Sequence, residues 1–212
     1  MATPRTKRDP DAVNAGTRLM EATIEVILEE GYAAATSRKV AARAGVKQAL
    51  VYYYFPTMDD LFLAVVRGGA EVTFERQRRA LEENDPLRAL WLISGDARAT
   101  KLNTEFMALA NHRKVVSAEL KRSSERIRDI ETAAVTMVLR AHGVDLEKYP
   151  PVVMSMILTG MARNLRNEEA VGVTAGHAEL TAFIERFIDE YSSAPLPDRD
   201  TSVAGPGPGS VD

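Results

Sequence analysis

Apolar positions recur three and four residues apart along most of this chain, the spacing that lines one face of a helix. Residues 18–31, RLMEATIEVILEEG, set Leu19, Thr23, Val26 and Ile27 on one side and Glu21, Glu25 and Glu29 on the other, and Gly31 suits the end of that helix. Thr36 is a good N-cap for SRKVAARA, a helix of about two turns whose buried stripe is Val40, Ala41 and Ala44 and which stops near Gly45. In the KQALVYYYF stretch that follows, Val51, Tyr54 and Phe55 turn inward, while Lys47, Gln48, Tyr52 and Tyr53 are left facing outward. Pro56 closes this segment, and Thr57 followed by Met58-Asp59-Asp60 opens the next helix with acids in its first turn.

Leu61, Phe62, Val65 and Val66 continue that helix toward Asn84, with a bend expected at Gly68-Gly69. Asp85-Pro86 is a break, because proline is readily accepted at a first helical position. Further helices are expected at 87–99, 102–111, 113–141, 151–166 and 178–191. The longest carries Val116, Leu120, Ile127, Ile130, Ala134, Met137 and Val138 at a helical period and is stopped by His142-Gly143. No internal repeat is present. Residues 1–12 read as a flexible arm, 13–58 as a small head, 59–192 as a larger helical body, and 193–212 as a disordered Pro/Gly/Ser tail. The fold class is all-α.

Composition narrows the function. The 212 residues are 45% hydrophobic and 27% charged with a net charge of −3, a globular balance that does not itself demand nucleic acid. No cysteine is present, so thiol chemistry and disulfides are absent. His112, His142 and His177 are too scattered to make a metal motif, and no cofactor motif is found. The N-terminus has no apolar run of the secretory type, and no segment has the apolar length to cross a bilayer, which points to a cytoplasmic protein. Residues 32–56 hold Arg38, Lys39, Arg43 and Lys47 and no acid, a local charge of +4 in an acidic chain. That asymmetry fits a polyanion partner; a solvated face is the other reading.

Two short helices joined by Ala44-Gly45-Val46 after a longer one make a helix-turn-helix, whose second short helix enters the major groove with Lys47 and Gln48 at its N-terminal end. Gln pairs with adenine and Lys with guanine, and an outward Tyr52 has a hydroxyl to give to the DNA backbone. The residues from Leu19 to Phe62 resemble the DNA-binding region of the TetR family of bacterial transcriptional regulators. The resemblance rests on Gly31-Tyr32, Thr36-Ser37-Arg38-Lys39-Val40-Ala41, Ala44-Gly45-Val46, Val51-Tyr52-Tyr53-Tyr54-Phe55-Pro56-Thr57 and Asp59-Asp60-Leu61.

This resemblance implies that Thr36 and Tyr52 hold phosphates and that Lys47, Gln48, Ala49 and Tyr53 face the groove, with Ser37 and Arg38 in the same set. It implies core roles for Val40, Ala41, Val46, Val51 and Phe55. Lys47, Ala49 and Met58 depart from the family pattern, which usually has serine, a small residue that is often glycine, and lysine there; Met58 cannot meet phosphate. Lys39 and Arg43 read equally as solvated charges, and Arg5, Lys7 and Arg8 as an ordinary basic terminus or a minor-groove arm.

The family further implies a repressor that binds a palindromic double-stranded DNA operator as a homodimer and is released by a small effector, and the apolar, bulky candidate residues of the body point to a largely hydrophobic one. The body is then an effector-binding and dimerisation domain. Trp91, Phe106, Met107, His112, Met137, Met154 and Leu158 are its candidate effector residues. Val153, Ile157, Phe183, Ile184, Phe187 and Ile188 are its candidate dimer residues. A DNA-binding regulator without a small-molecule response is the alternative. An enzyme is the remote one, since no nucleophile with a base, carboxylate pair or metal cluster stands out.

Overall fold

Each helix boundary follows from a local signal, and several signals act earlier than the apolar stripe suggests. The computed structural model of the protein describes residues 10–192, and nine α-helices lie among them. The first, α1 (Pro10–Glu30), starts well before residue 18, so positions 10–12 of the expected arm are helical. Residues 1–9, with Arg5, Lys7 and Arg8, and the expected tail at 193–212 lie outside the described residues. Gly31 takes φ +83, the left-handed backbone that glycine adopts without penalty, and a 3-10 turn at Tyr32–Ala34 leads on.

Thr36 caps α2 (Ser37–Arg43), its side chain accepting from the Lys39 N–H, as its position predicts. Gly45 at φ +68 makes the turn into α3 (Gln48–Tyr54), and Arg18 of α1 donates to the Ala44 carbonyl at 2.6 Å, tying that turn to the helix beneath it. Thr57 and Asp60 form a reciprocal capping box at the start of α4 (Met58–Ala80). This helix is unbroken at Gly68-Gly69 and ends at Ala80, short of Asn84. The glycine serves close approach instead of a bend: a Cβ on Gly68 would lie 3.1 Å from the Met20 Cε of α1.

In the body, α5 (Pro86–Ser94) is capped by Asp85, with proline in its first turn, and stops at Gly95 instead of running to 99. Asp96 then accepts from the Ala99 N–H and opens α6 (Ala97–Ala110), five residues ahead of the expected start. The long α7 (Lys114–Ala141), α8 (Pro151–Glu169) and α9 (His177–Ser192) complete the chain close to expectation.

Two hydrophobic clusters hold the molecule, and their border does not follow the head–body division at 58/59. The first unites Leu19, Val26 and Ile27 of α1, Val40 and Ala41 of α2, Val51 of α3 and Leu61 to Val66 of α4 with Phe106 and Leu109 of α6 and Val116 of α7. The second gathers Ala80, Leu87, Leu90, Val135, Val138, Leu139 and Leu158 with Ile184 and Ile188 of α9. Phe62 and Phe106 meet edge to face across the first, at 6.4 Å between centroids.

The Asp96 cap is testable. The Ala99 N–H, and after it Arg76, hold its carboxyl below the usual aspartate range. Its stabilisation is therefore full above that range and is lost as acid protonates the group. Asp96→Ala is expected to cost about 1 kcal/mol in urea unfolding at neutral pH. The gap to the parent protein should close as pH falls through the depressed value of Asp96.

Candidate nucleic-acid interface

The helical period of α3 sorts its side chains into two faces. Val51 is fully buried, and Tyr54 and Phe55 pack partly buried on the first cluster, while Gln48, Ala49, Tyr52 and Tyr53 face outward. Tyr52 is 48% exposed and Tyr53 76%, a large aromatic surface for a protein of this kind to leave in water. Tyr53 leans edge-on against Tyr54, with centroids 5.1 Å apart.

Ser37 is a correction. It is 7% exposed, so it does not stand on the outer face with its neighbours. Its Oγ lies 3.0 Å from the Tyr52 hydroxyl and accepts from Gln48 Nε2 at 2.8 Å. Buried at the start of α2, it holds two outward side chains of α3 from behind. Thr36, exposed, has its hydroxyl oxygen 3.3 Å from the Lys39 N–H.

The local positive charge is smaller than the sequence count. Lys39 pairs with Glu30, and Arg43 bridges Glu25 at 3.3 Å and Glu29 at 2.5 Å, all three acids lying on α1. The hydrogen bond from Arg43 holds the Glu29 carboxyl below its usual range, and the same contacts raise the guanidinium pKa. Among the described residues, Arg38 and Lys47 have no acidic partner, and both are exposed. These acids were legible at helical spacing in α1, but their distance in sequence from Lys39 and Arg43 hid the pairing.

The expected effector residues do not converge. Phe106 lines a cavity of about 140 Å³ between α4, α6 and α7, together with Val65, Val66, Leu102, Asn103 and Ile127. Trp91, Met154 and Leu158 pack instead on the second cluster, Met137 lines an open groove beside Thr136 and Val152, and Met107 is 53% exposed. His112 belongs to a separate cleft near Tyr32. Apolar bulk alone does not separate a core position from a cavity wall, which is why those residues were grouped.

The expected dimer residues divide too. Val153, Ile157 and Phe183 are 45%, 44% and 58% exposed, alongside Met156 at 51%. Ile184 and Ile188 are corrections: they are buried in the second cluster of their own chain, one step round α9 from Phe183 and Phe187. Phe187 is half-buried and packs against Tyr191, with centroids 4.9 Å apart.

One polar centre in the body went unnoticed in the sequence. Glu131 of α7 is fully buried and accepts from Gln77 Nε2 of α4 at 3.1 Å and from the Thr159 hydroxyl of α8 at 3.2 Å, with Arg128 and Arg163 at 3.6 and 3.7 Å. A glutamate on a long charged helix carries no sign that it faces inward. Among the described residues no group of three or more His, Asp or Glu side chains is placed to hold a metal ion, and no single helix is long and apolar enough to cross a membrane.

A helix pair of this geometry, with its second helix offering an outer face of amide and phenol groups, defines a helix-turn-helix DNA-binding regulator. Residues 19–65 match the family model described as "Bacterial regulatory proteins, tetR family". The matched stretch covers most of α1, both short helices and the start of α4, so this region is a DNA-binding segment of the tetR type.

The fold is shared along nearly the whole chain with solved structures. A transcriptional regulator from Rhodococcus sp. Rha1 is 21% identical with a TM-score of 0.63, covering 85% of this chain and 99% of its own. A TetR transcription regulator from Haloarcula marismortui is 22% identical with a TM-score of 0.64, over 87% and 99%. A transcriptional regulator from Saccharomonospora viridis, solved in complex with choline, is 15% identical with a TM-score of 0.66, over 84% and 96%. No curated protein matches the sequence.

Ser37→Ala removes the group that Tyr52 and Gln48 share. Since both partners reach solvent, unfolding stability should change by no more than about 1 kcal/mol. Affinity for duplex DNA, read by fluorescence anisotropy, should fall several-fold.

Proposed function

We propose that the protein is a repressor that binds a palindromic operator as a homodimer and lets go when a small, uncharged, largely apolar molecule enters the cavity between α4, α6 and α7. The observation that carries this reading is a shared wall: Val65, Val66 and Phe106 line the cavity and also belong to the cluster that seats α1, α2 and α3. At about 140 Å³ the cavity is smaller than typical ligand pockets, which begin near about 300 Å³. A ligand of ordinary size therefore enters by moving α4 against α6, and α4 carries that movement to the head. The lining holds Thr73, Asn103 and Ser123 and no charged side chain, which favours a neutral molecule with one or two hydrogen-bonding groups. The choline held by the Saccharomonospora viridis protein supports small-molecule binding on this fold; a fixed cation has no counter-charge in the lining here.

On DNA, Gln48, Ala49, Lys47 and Tyr53 face base edges, Tyr52 and Thr36 meet phosphates, and Arg38 adds a free cation beside them. Ser37 acts from behind by orienting Tyr52 and Gln48. Val153, Met156, Ile157 and Phe183 form the exposed apolar face that a second copy covers.

Three results test this. On an operator selected from a random duplex library, Tyr52→Phe should weaken all duplexes alike by about 1 kcal/mol, whereas Gln48→Ala should reorder preference among operator variants. Ile157→Asp should convert a dimer to a monomer in sedimentation equilibrium; a monomeric parent protein would contradict the dimer. Ala70→Leu, which crowds the cavity as a ligand would, should reduce operator affinity about tenfold with the dimer retained. Unchanged affinity in that variant favours a regulator without a small-molecule response.

A further inference from the structure

A second cavity lies outside the effector site, in the cleft where head and body meet. It encloses about 480 Å³ between residues 32–37, the start of α4 and the corner joining α6 to α7. Phe62 and Leu109, each 3% exposed, give it an apolar floor. Tyr32 on the head side and His112 on the body side stack there, with ring centroids 6.5 Å apart and planes 26° from parallel. Tyr32 is fixed at its backbone, where its N–H donates to Glu105 Oε2 of α6 at 2.8 Å.

The cation in this wall is already engaged. Arg113 Nη1 lies 2.5 Å from Asp59 Oδ1, and its guanidinium carbon sits 5.8 Å from the centroid of the Phe62 ring. A charged ligand thus finds no free counter-charge from Arg113, while flat aromatic faces and an apolar floor are on offer. The Thr36 hydroxyl accepts from the Lys39 N–H and keeps its own proton to donate. The volume, unlike that of the body cavity, falls within the ordinary range for ligand sites of about 300–1,000 Å³.

We propose that this cleft binds an uncharged planar aromatic molecule of one or two rings, stacked on Tyr32 and His112 and hydrogen-bonded to the Thr36 hydroxyl. The proposal stands independently of the effector reading, because it concerns a different cavity; a ligand that takes the Thr36 hydroxyl competes with the phosphate assigned to it. The two cavities are separated by one aromatic contact: Phe62 lines the cleft, Phe106 lines the body cavity, and their rings meet edge to face. Ser37 also lines the cleft and holds Tyr52 and Gln48. Occupancy is therefore felt at Ser37, directly behind the outer face of α3.

The test is calorimetric titration of the full chain with 2-naphthol and with its saturated, non-planar counterpart decahydro-2-naphthol. His112→Ala removes one stacking face at an exposed position, and Ser123→Leu narrows the body cavity. The expected result is 2-naphthol binding that weakens at least about tenfold in His112→Ala and changes less than about twofold in Ser123→Leu, with decahydro-2-naphthol at least about tenfold weaker than 2-naphthol. No binding of 2-naphthol to the parent protein, no loss in His112→Ala, or equal binding of the saturated alcohol overturns the proposal. Loss confined to Ser123→Leu also overturns it and places the molecule in the body cavity.

Discussion

Two helices of seven residues each cannot stand alone in water, where isolated helices shorter than about 12–15 residues are marginal. The burial of Val40, Ala41 and Val51 is what makes α2 and α3 a rigid pair, and it is supplied by α1, by α4 and, through the same cluster, by Phe106, Leu109 and Val116. The helix pair proposed to read DNA thus shares one cluster with the body. Gly68 leaves room for the tip of Met20 between α1 and α4, where a Cβ would lie 3.1 Å from its Cε. Hydrophobic burial is non-directional, so a displacement of one wall of the cluster is passed to the others by packing, with no dedicated chain of polar contacts.

Electrostatics shapes the same surface in the opposite sense to the sequence count. Glu25, Glu29 and Glu30 of α1 occupy Lys39 and Arg43, leaving Arg38 and Lys47 as the cations of the motif free to attract phosphate. Exposed pairs of this kind contribute little to stability, but they lower the positive field that a polyanion meets. An acidic chain with a modestly charged head relies more on well-placed hydrogen bonds, and Ser37 holds Tyr52 and Gln48, two of the side chains proposed to make them. Salt dependence of DNA binding is accordingly expected to be gentler than four free cations would give.

Much of this fold was legible in the chain. Thr36, Thr57 and Asp85 announce helix starts because their side chains satisfy orphan N–H groups, and Gly31 and Gly45 announce turns because they take positive φ. The division of α3 into Val51 inward and Tyr52 outward followed from period alone. Other features depended on tertiary neighbours. Asp96 is as good a cap as Thr36, but the apolar run before it, Leu90 to Ile93, masked the break at Gly95. Phe183 and Ile184 are adjacent apolar residues on one amphipathic helix, and only the position of α5 and α7 decides that the isoleucine is the one covered by its own chain. Glu131 and Ser37 were hidden for the same reason: polar residues announce burial only through the partners that meet them.

The account depends on the head and body sharing one core, and native-state hydrogen exchange on Leu109→Ala tests that most directly. Leu109 is a body residue, 3% exposed, and its truncation should cost about 2–5 kcal/mol. If the cluster is continuous, the most protected amides of α1 and α3 lose as much protection as those of α6. Loss confined to α6 and α7, with α1 and α3 unchanged, would show that the head is held by its own core and would contradict the account.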